Sequence, residues 1–532
     1  MTTNTLFNDD LTKKIMEGVD ILANAVGTTL GCRGRTVILK SKNQKQAIIT
    51  KDGITVAKHI VLGDPFQDIG VSILRQASES TLNKCGDGTS TAIVLSRAIY
   101  KNAIGYLNDN KNTNINELKR GIETAAEEII KLVEEYSKPV KTLMDIENIA
   151  TISANGDRNI GKLIALAIDK IGNDGAITIQ ESKSNDTSVE ISEGFSFDSG
   201  LLANAFINDD RREVCRFEDC LVFVTSRNMN NIEDLKPIME LAVRDTRPLV
   251  VIAEQVENSV LSSFIYNTVK GTIKMMVIKP PRYGEERRDI LSDIALTTGA
   301  TFISADSGIP LKSVSLKHLG TAKIVESGKY TTTIVSNNAD PVKLDNRIQS
   351  IKAQIMEIDN ITIAKKLQER ITRLASAIAI IKVGGATEVE MIEKKHRIED
   401  ALESVNSAQD EGVVAGGGTA LIKASMHYTK NVDKDREDTD FWDGTYILTQ
   451  AIKAPFNQML SNACMTNNTF IHDLEETMDD PSWGVNILTG ELCNMIEQGI
   501  IDPTKVVKHS LKNAVSAATT LMMSSVGIIE TI

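Results

Sequence analysis

A glycine loop between two helical patterns constrains this chain more than any other feature. The segment KCGDGTSTAIVL, residues 84–95, places two glycines around Asp87, and three hydroxyl residues follow. Apolar residues recur at helical spacing in residues 68–84 and again in residues 91–107, which predicts a helix on each side of the loop. Glycine lets the backbone approach a ligand closely, and a helix N-terminus offers unpaired N–H groups to a phosphate.

The loop has two interpretations. A carboxylate would repel a bare phosphate, so in a phosphate site Asp87 is best explained as a Mg²⁺ ligand. In the alternative, Asp, Thr and Ser are ordinary helix caps and Gly-Asp-Gly is a turn. The hexamer alone leaves both open. Three further segments favour a nucleotide site: TLGCRGR at residues 29–35, TKDGITVAK at residues 50–58 and EGVVAGGGTALI at residues 411–422.

The nucleotide site does not belong to the Walker class. The segment GDRNIGKL, residues 156–163, satisfies GxxxxGK, but Leu163 stands where Ser or Thr must bind Mg²⁺. The preceding residues are too polar for a buried strand. This motif is therefore a chance match.

Composition excludes several other classes of function. A net charge of -12 disfavours nucleic acid and anionic membranes as partners, because both would repel the protein. The six cysteines include no CxxC pair, which predicts free thiols and no zinc site. The first residues lack the basic and apolar regions of a secretory signal. We therefore expect a cytoplasmic protein.

The helical and strand patterns divide the chain of 532 residues into parts. The first and last parts are mainly helical, with helices predicted over residues 11–30 and 115–136. Between residues 193 and 378, predicted strands alternate with predicted helices, which indicates an α/β domain. The final VGIIETI predicts a lone strand that needs a partner edge, so we expect oligomer contacts there. Strands are predicted for the apolar runs GAITIQ, TSVEIS, CLVFVTS, RPLVVIAE, TIKMMVIK, GATFIS and TAKIVES, and helices for residues 232–243, 259–270 and 387–411.

A series of motifs, taken in order along the chain, resembles the group I chaperonins, the GroEL family. The resemblance covers roughly residues 8 to 526. It is specific because the motifs occur together and in sequence. They are TLGCRGR, ITKDGITVA, GDGTSTA, TISANGD, KVGGATEVEM, RIEDAL, EGVVAGGG and GIIDPTKV.

The resemblance implies a multidomain α and α/β fold. A mostly helical equatorial ATPase domain would comprise residues 1–135 and 411–532. A small α/β intermediate domain would comprise residues 136–192 and 379–410. An α/β apical domain, residues 193–378, would bind clients.

The resemblance also implies activity and partners. Unfolded or partly folded proteins would bind an apical rim and fold in a ring-shaped cavity driven by ATP hydrolysis, with Mg²⁺ and K⁺ as ions. Rings would contain seven chains, giving assemblies of 7 or 14. A GroES-type lid is a further implied partner, but Lys236 and Ala205 replace a leucine and a tyrosine of the family and weaken the surface that binds it. The segment FNQMLSNACMTNN, residues 456–468, has no charge where the family places its ring–ring ion pairs, which leaves the number of rings open.

The family's nucleotide residues transfer position by position. Asp400 of RIEDAL would orient the attacking water, with Asp52 assisting, and Asp87 would hold the metal. The remaining nucleotide contacts would be Thr29, Leu30, Gly31, Cys32, Lys51, Gly88, Thr89, Ser90, Thr91, Gly417, Asn486, Ile487, Leu488 and Asp502. Without the resemblance, Asp400 would be interpreted as a solvated helix carboxylate.

The client surface also follows from the family. Two apical helical patterns carry more apolar residues than one helix face buries. Two-sided core packing is the alternative interpretation. The client surface would consist of Leu201, Ala203, Phe206, Met239, Leu261, Ile265 and Tyr266.

Two hypotheses remain open beside the ATP-driven folding chamber. One is a client-holding scaffold with weak ATPase activity and no lid-dependent encapsulation. Another is a small-molecule kinase, for which the chain has no substrate motif.

The departures from the family's sequence, together with an intact ATP site, are typical of a paralogue or a phage-encoded chaperonin. Finally, Cys32 and Cys85 replace a proline and an alanine beside the phosphates, and a disulfide or adduct there could block ATP.

Overall fold

The computed structural model describes residues 2–40, 48–154, 156–172, 176–182, 184–337, 340–357, 361–375, 377–432, 439–465 and 469–531. The chain folds into two compact units. The split unit comprises Met1–Leu166, Glu181–Asp186 and Val383–Ile532. The central unit comprises Ala167–Gln180 and Thr187–Lys382.

The N-terminal part of the chain is mainly helical, as its 3.6-residue periodicity predicts. Each predicted helix is present, with ends shifted by a few residues. The helix predicted from residue 68 begins at Pro65, because Asp64 accepts a hydrogen bond from the Phe66 N–H and caps it. The elements are β1 (Thr2–Phe7), α1 (Asn8–Gly27), β2 (Val37–Leu39), β3 (Ile48–Thr50), α2 (Gly53–His59), α3 (Pro65–Cys85), α4 (Thr89–Asp109), α5 (Ile115–Glu135), α6 (Leu143–Ser153) and α7 (Arg158–Ile171).

The central part alternates strands and helices. The GxxxxGK match ends inside α7, so it forms no phosphate loop. The elements are β4 (Ala176–Glu181), β5 (Ser188–Phe197), β6 (Cys215–Thr225), α8 (Lys236–Asp245), β7 (Leu249–Ala253), α9 (Asn258–Val269), β8 (Met275–Ile278), α10 (Gly284–Thr298), β9 (Gly320–Ser327), β10 (Thr332–Ser336), α11 (Pro341–Glu357), α12 (Ile361–Ala375) and β11 (Ala377–Val383).

One sheet organises the central unit, in the order β4-β11-β5-β10-β9-β6-β7-β8. The β6–β7 and β7–β8 pairs are parallel, and β6–β9, β9–β10, β10–β5 and β5–β11 are antiparallel. Every residue of β7 and β8 is buried, as expected for parallel strands covered on both faces.

The C-terminal part returns to the split unit and is again helical. The helices that follow Glu411 share one apolar core with α1, α3, α4 and α5. The elements are α13 (Glu388–Glu411), β12 (Val413–Ala415), α14 (Thr419–Val432), α15 (Asp440–Ala451), α16 (Ala454–Asn462), α17 (Thr469–Glu476), β13 (Trp483–Asn486), β14 (Glu491–Asn494), β15 (Ile501–Pro503), α18 (Thr504–Met522) and β16 (Val526–Thr531).

The partner of the C-terminal strand differs from the expectation. We expected β16 to pair with another chain, but it pairs antiparallel with β1 of its own chain, from Thr2 opposite Thr531 to Phe7 opposite Val526. The pairing is possible because α1 and α18 belong to one helical core, which brings the two ends of the chain together. The final residue of VGIIETI, Ile532, lies outside the described residues.

Two further predictions in the central unit were wrong in detail. GATFIS forms no strand, because Gly299 ends α10 in a left-handed conformation and only Ile303 makes an isolated bridge, to Thr225. The helix predicted over residues 232–243 is divided into a 3₁₀ turn, Ile232–Asp234, and α8. Pro237 in the first turn of α8 is compatible with this late start, because proline lacks an N–H to continue an earlier helix. In the described part of the chain, no helix is both long and apolar enough to cross a bilayer.

Candidate nucleotide site and a groove of the central unit

The split unit contains a cavity of about 320 Å³, within the size range of small-molecule sites. Segments from both ends of the chain form its walls. The lining includes every residue predicted to contact nucleotide or metal: Thr29, Leu30, Gly31, Cys32, Lys51, Asp52, Asp87, Gly88, Thr89, Ser90, Thr91, Asp400, Gly417, Asn486, Ile487, Leu488 and Asp502.

The glycine loop lies between α3 and α4, as predicted. Gly86 and Gly88 have φ values of 70° and 83°, a conformation that strongly favours glycine. A Cβ atom at Gly88 would lie 2.4 Å from the Ser510 Oγ. No side chain caps α4, which argues against the plain-capping interpretation. The first turn of α4, at Thr89–Thr91, instead lines the cavity with hydroxyls and N-terminal N–H groups.

Asp52 has a structural role that the sequence interpretation did not include. It caps α2: its Oδ1 accepts from the Ile54 N–H, and its Oδ2 accepts from the Thr55 N–H, both at 3.3 Å. The Thr55 hydroxyl donates to the same Oδ2 at 2.5 Å. Asp52 lines the cavity together with Lys51, but both of its carboxylate oxygens already accept hydrogen bonds.

Asp400 reaches the cavity from α13. This helix begins after Thr387, whose hydroxyl accepts from the Glu390 N–H. Ile398, Ala401 and Val405 are buried beneath it, so the neighbouring position 400 is held at the edge of that apolar row. The structure therefore places Asp400 in the cavity lining.

The opposite wall is a short hairpin formed by β13 and β14. The Asn486 Oδ1 accepts from the Leu488 N–H at 3.0 Å, which fixes the turn. Arg33 donates to the Leu488 carbonyl at 3.4 Å and so connects the TLGCRGR segment to this hairpin. The Asn486 side-chain amide can both donate and accept hydrogen bonds, which suits it to recognise a ligand.

Asp502 lies on β15, which pairs with β12 next to the triple-glycine segment. Burial, reinforced by the nearby Asp87 carboxylate, raises the pKa of Asp502 from 3.8 to about 6. A hydrogen bond from Gly417 opposes this rise. The charged form of Asp502 therefore destabilises the ligand-free protein at neutral pH.

Asp502→Asn should stabilise the nucleotide-free protein in EDTA at pH 8 by about 1–2 kcal/mol. A group whose pKa is raised by folding stabilises the fold fully below the unfolded value of 3.8 and loses that contribution as pH rises through about 6. The advantage of the variant should therefore shrink at pH 5. Urea unfolding at both pH values measures it, with the exposed Asp479→Asn as the control. A stability difference independent of pH would contradict this cause.

Several residues that sequence reasoning did not assign also line the cavity. Pro455, Met459 and Met495 are apolar, and Ser153 comes from the TISANGD motif. The three apolar residues carry no recognisable signal because they resemble ordinary core residues. Ser153 was within a quoted motif but had no assigned role.

The described residues offer no complete metal cage. Among the residues that the structure describes, no group of three or more His, Cys, Asp or Glu side chains could hold an ion. A hard cation at Asp87 would thus take its remaining ligands from phosphate oxygens and water, the usual arrangement for Mg²⁺.

The cysteines are free thiols, as predicted, including the exposed Cys32 and the buried Cys85. Burial raises the pKa of Cys85 to about 12. Its thiol is therefore a poor nucleophile at neutral pH, and the structure gives the Cys32–Cys85 disulfide hypothesis no support.

A groove of about 360 Å³ crosses the surface of the central unit at α8. Met239 of the predicted client surface lines it, together with Lys236, Val243 and Ile273. Glu233 and Glu240 also lie along the groove. The groove is thus apolar with charged margins, and Lys236 reduces its apolar area.

Helix α9 buries one of its two apolar rows. Val260 and Phe264 are buried, whereas Leu261 and Ile265 are partly exposed and Tyr266 is 58% exposed. Leu201 and Ala203 are also partly exposed. Phe206 does not fit the predicted surface: it is only 2% exposed, since it packs in the core of the central unit.

Comparison with known proteins agrees with this architecture. The family model for the TCP-1/cpn60 chaperonin family matches residues 22–530. Two crystal forms of the chaperonin gp146 from the bacteriophage EL 2 (Pseudomonas aeruginosa), both in the presence of ATP-BeFx, share the fold with TM-scores of 0.66 and 0.63. Each is 21% identical over 99% of both chains. Because the family match spans nearly the whole sequence, this chain is a divergent member of the TCP-1/cpn60 chaperonin family.

Proposed function

We propose that this protein is an ATP-dependent chaperonin that binds non-native polypeptides and promotes their folding in a ring-shaped cavity. One observation carries the proposal: all seventeen predicted nucleotide and catalytic residues line a single cavity of the split unit, although they come from distant parts of the sequence. The crystal structures of gp146 in the presence of ATP-BeFx support nucleotide binding in this fold.

The residues of the cavity fit MgATP. The N-terminal N–H groups of α4, Lys51 and the hydroxyls of Thr89–Thr91 would surround the phosphates. Asp502 would accept from a ribose hydroxyl, and Asn486, Ile487 and Leu488 would contact the base. A bound Mg²⁺ at Asp87 would neutralise phosphate charge, and K⁺ could add to that neutralisation.

Asp400 would orient the water that attacks the terminal phosphate. Phosphoryl transfer needs positioning and charge stabilisation more than covalent chemistry. A carboxylate within reach of the water would accept its proton as the bond forms. Asp52 would assist from the start of α2, where its cap contacts hold the carboxylate in place.

The larger assembly follows from family membership. We infer equatorial, intermediate and apical domains at the boundaries predicted above, with Asp400 on an intermediate segment that closes over the nucleotide. Seven-membered rings would form assemblies of 7 or 14 chains. Residues 466–468 of the uncharged segment lie outside the described residues. The bacteriophage origin of gp146 supports a phage-encoded protein acting in the host cytoplasm. Lys236 in the groove at α8 argues against a requirement for a GroES-type lid.

A client-holding scaffold with weak ATPase activity is the second candidate. It is favoured by the cap contacts of Asp52, which engage its carboxylate in a structural role at the start of α2. Phosphate release from MgATP distinguishes the two, since a chaperonin ATPase should turn over and a scaffold should not. Native mass with and without MgATP tests the ring: 7 or 14 chains support the chamber, and a monomer under both conditions contradicts it.

The proposed client surface can be tested on α9. The double change Leu261→Ala and Tyr266→Ala should weaken capture of a denatured protein by about 10-fold, because it removes apolar area that clients would bury. Val269→Ala is the matched control, since Val269 is an apolar residue of the same helix that is 74% exposed but outside the predicted surface. Suppression of client aggregation, followed by light scattering, measures capture. Equal losses in both variants would contradict the assignment.

A further inference from the structure

The carboxylate of Asp87 is held by two serine hydroxyls. Ser153 donates to its Oδ2 at 3.0 Å, and Ser404 donates to the same oxygen at 2.8 Å. The two serine Oγ atoms are 2.9 Å apart. On the other side, the Gly88 N–H donates to the Asp87 Oδ1 at 2.6 Å.

This arrangement leaves a defined acceptor position. Each carboxylate oxygen has about two lone-pair sites. The two hydroxyls fill those of Oδ2, whereas the Gly88 N–H fills one on Oδ1. The remaining Oδ1 site is the one that a cation would use, so the serines determine how Asp87 is presented.

Ser404 also belongs to the helix that carries Asp400. The two residues are four positions apart on α13, so their side chains project from the same face. Ser404 is fully buried. The Ser404–Asp87 hydrogen bond therefore connects the helix of the proposed water-orienting residue directly to the proposed metal ligand.

Neighbouring contacts show that α13 packs on this loop at more than one point. The Ser407 hydroxyl, one turn further along, donates to the Cys85 carbonyl at 2.9 Å. A Cβ atom at Gly86 would lie 2.1 Å from the Glu403 Cβ, so the helix and the loop are in close contact. Ser404 differs from these neighbours because it contacts the Asp87 carboxylate itself.

We propose that Ser404, supported by Ser153, is a positioning residue that fixes Asp87 relative to Asp400. The inference rests on the proposed ATPase function and deepens it. Hydrogen bonds to a charged carboxylate are short and strong. Catalysis requires the metal ligand and the water-orienting group to be held to within about 0.5 Å. If the Asp87 side chain were free to move, Mg²⁺ would bind more weakly and turnover would fall, while the nucleotide pocket would remain.

The test compares Ser404→Ala with Ser407→Ala. Both remove one buried hydroxyl from α13 that bonds to the same loop. We expect Ser404→Ala to lower kcat by about 10-fold and to raise the half-saturating Mg²⁺ concentration by about 3-fold or more, with KM for ATP within about 3-fold. Ser407→Ala should leave all three within about 2-fold. Ser404→Thr, which keeps a hydroxyl, should recover part of the loss.

The outcomes distinguish a failure of the positioning role from a failure of the ATPase proposal. If the wild type hydrolyses ATP and the two alanine variants behave alike, the positioning role is wrong while the ATPase proposal stands. A purely structural role would lower thermal stability in both variants and would not change the Mg²⁺ requirement of one alone. If the wild type shows no more hydrolysis than Asp400→Ala, the ATPase proposal fails and the inference fails with it.

Discussion

Asp400→Asn should lower ATP turnover by about 100-fold or more while leaving ATP affinity within about 3-fold. The substitution keeps the size of the side chain but removes the charge that would accept a proton from water. Asp400 lines the cavity beside a row of buried residues on α13. The backbone should therefore stay in place, and the loss should appear in kcat.

Asp410→Asn is the matched control for this result. Asp410 is on the same helix, pairs with Lys505 at 2.7 Å and has a side chain that is 60% exposed. An exposed pair of this kind contributes little, so turnover should not change. Phosphate release and equilibrium nucleotide binding, measured on both variants, are sufficient. Normal turnover in Asp400→Asn would remove Asp400 from the reaction.

Asp87→Asn should weaken the binding of ATP when Mg²⁺ is present and strengthen it when Mg²⁺ is removed. With Mg²⁺ we expect turnover to fall by about 100-fold, because the site loses the charge that binds the ion. In EDTA, the same variant should bind ATP about 5-fold more tightly, since a carboxylate about 4 Å from a phosphate charge costs about 1 kcal/mol in water. The amide oxygen can still accept the serine hydroxyls. The amide N–H₂ group then faces the Gly88 N–H, so the hydrogen bond from Gly88 is lost.

Asp64→Asn provides the comparison for Asp87. Asp64 caps α3 and pairs with Lys14, and it is not among the residues that line the cavity. Titration calorimetry with ATP, with and without Mg²⁺, should show the reversal for Asp87→Asn alone. Weaker binding of ATP under both conditions would mean that Asp87 supports the loop without acting as a metal ligand.

The sequence predicted the local structure well. Helices such as α3, α4 and α5 follow from the spacing of apolar residues. The positive φ angles of Gly86 and Gly88 agree with the predicted glycine loop. The nucleotide residues were assigned through the family motifs. Periodicity alone would have left Asp400 as a solvated carboxylate.

Contacts between segments that are distant in the sequence could not be predicted from local sequence patterns. The pairing of β1 with β16 depends on the common helical core, which no local pattern describes. Ser404 looks like an ordinary helix residue until α13 packs on the glycine loop. Likewise, Phe206 has the character of a client-binding residue, and only the tertiary packing shows that it is buried.

Recovery of a guanidinium-denatured monomeric enzyme, diluted into this protein with MgATP, tests the central claim most directly. Activity should return in higher yield with MgATP than without nucleotide, and Asp400→Asn should hold the client without releasing active enzyme. A yield that is the same with ATP, without ATP and with the Asp400→Asn variant would contradict an ATP-driven chaperonin.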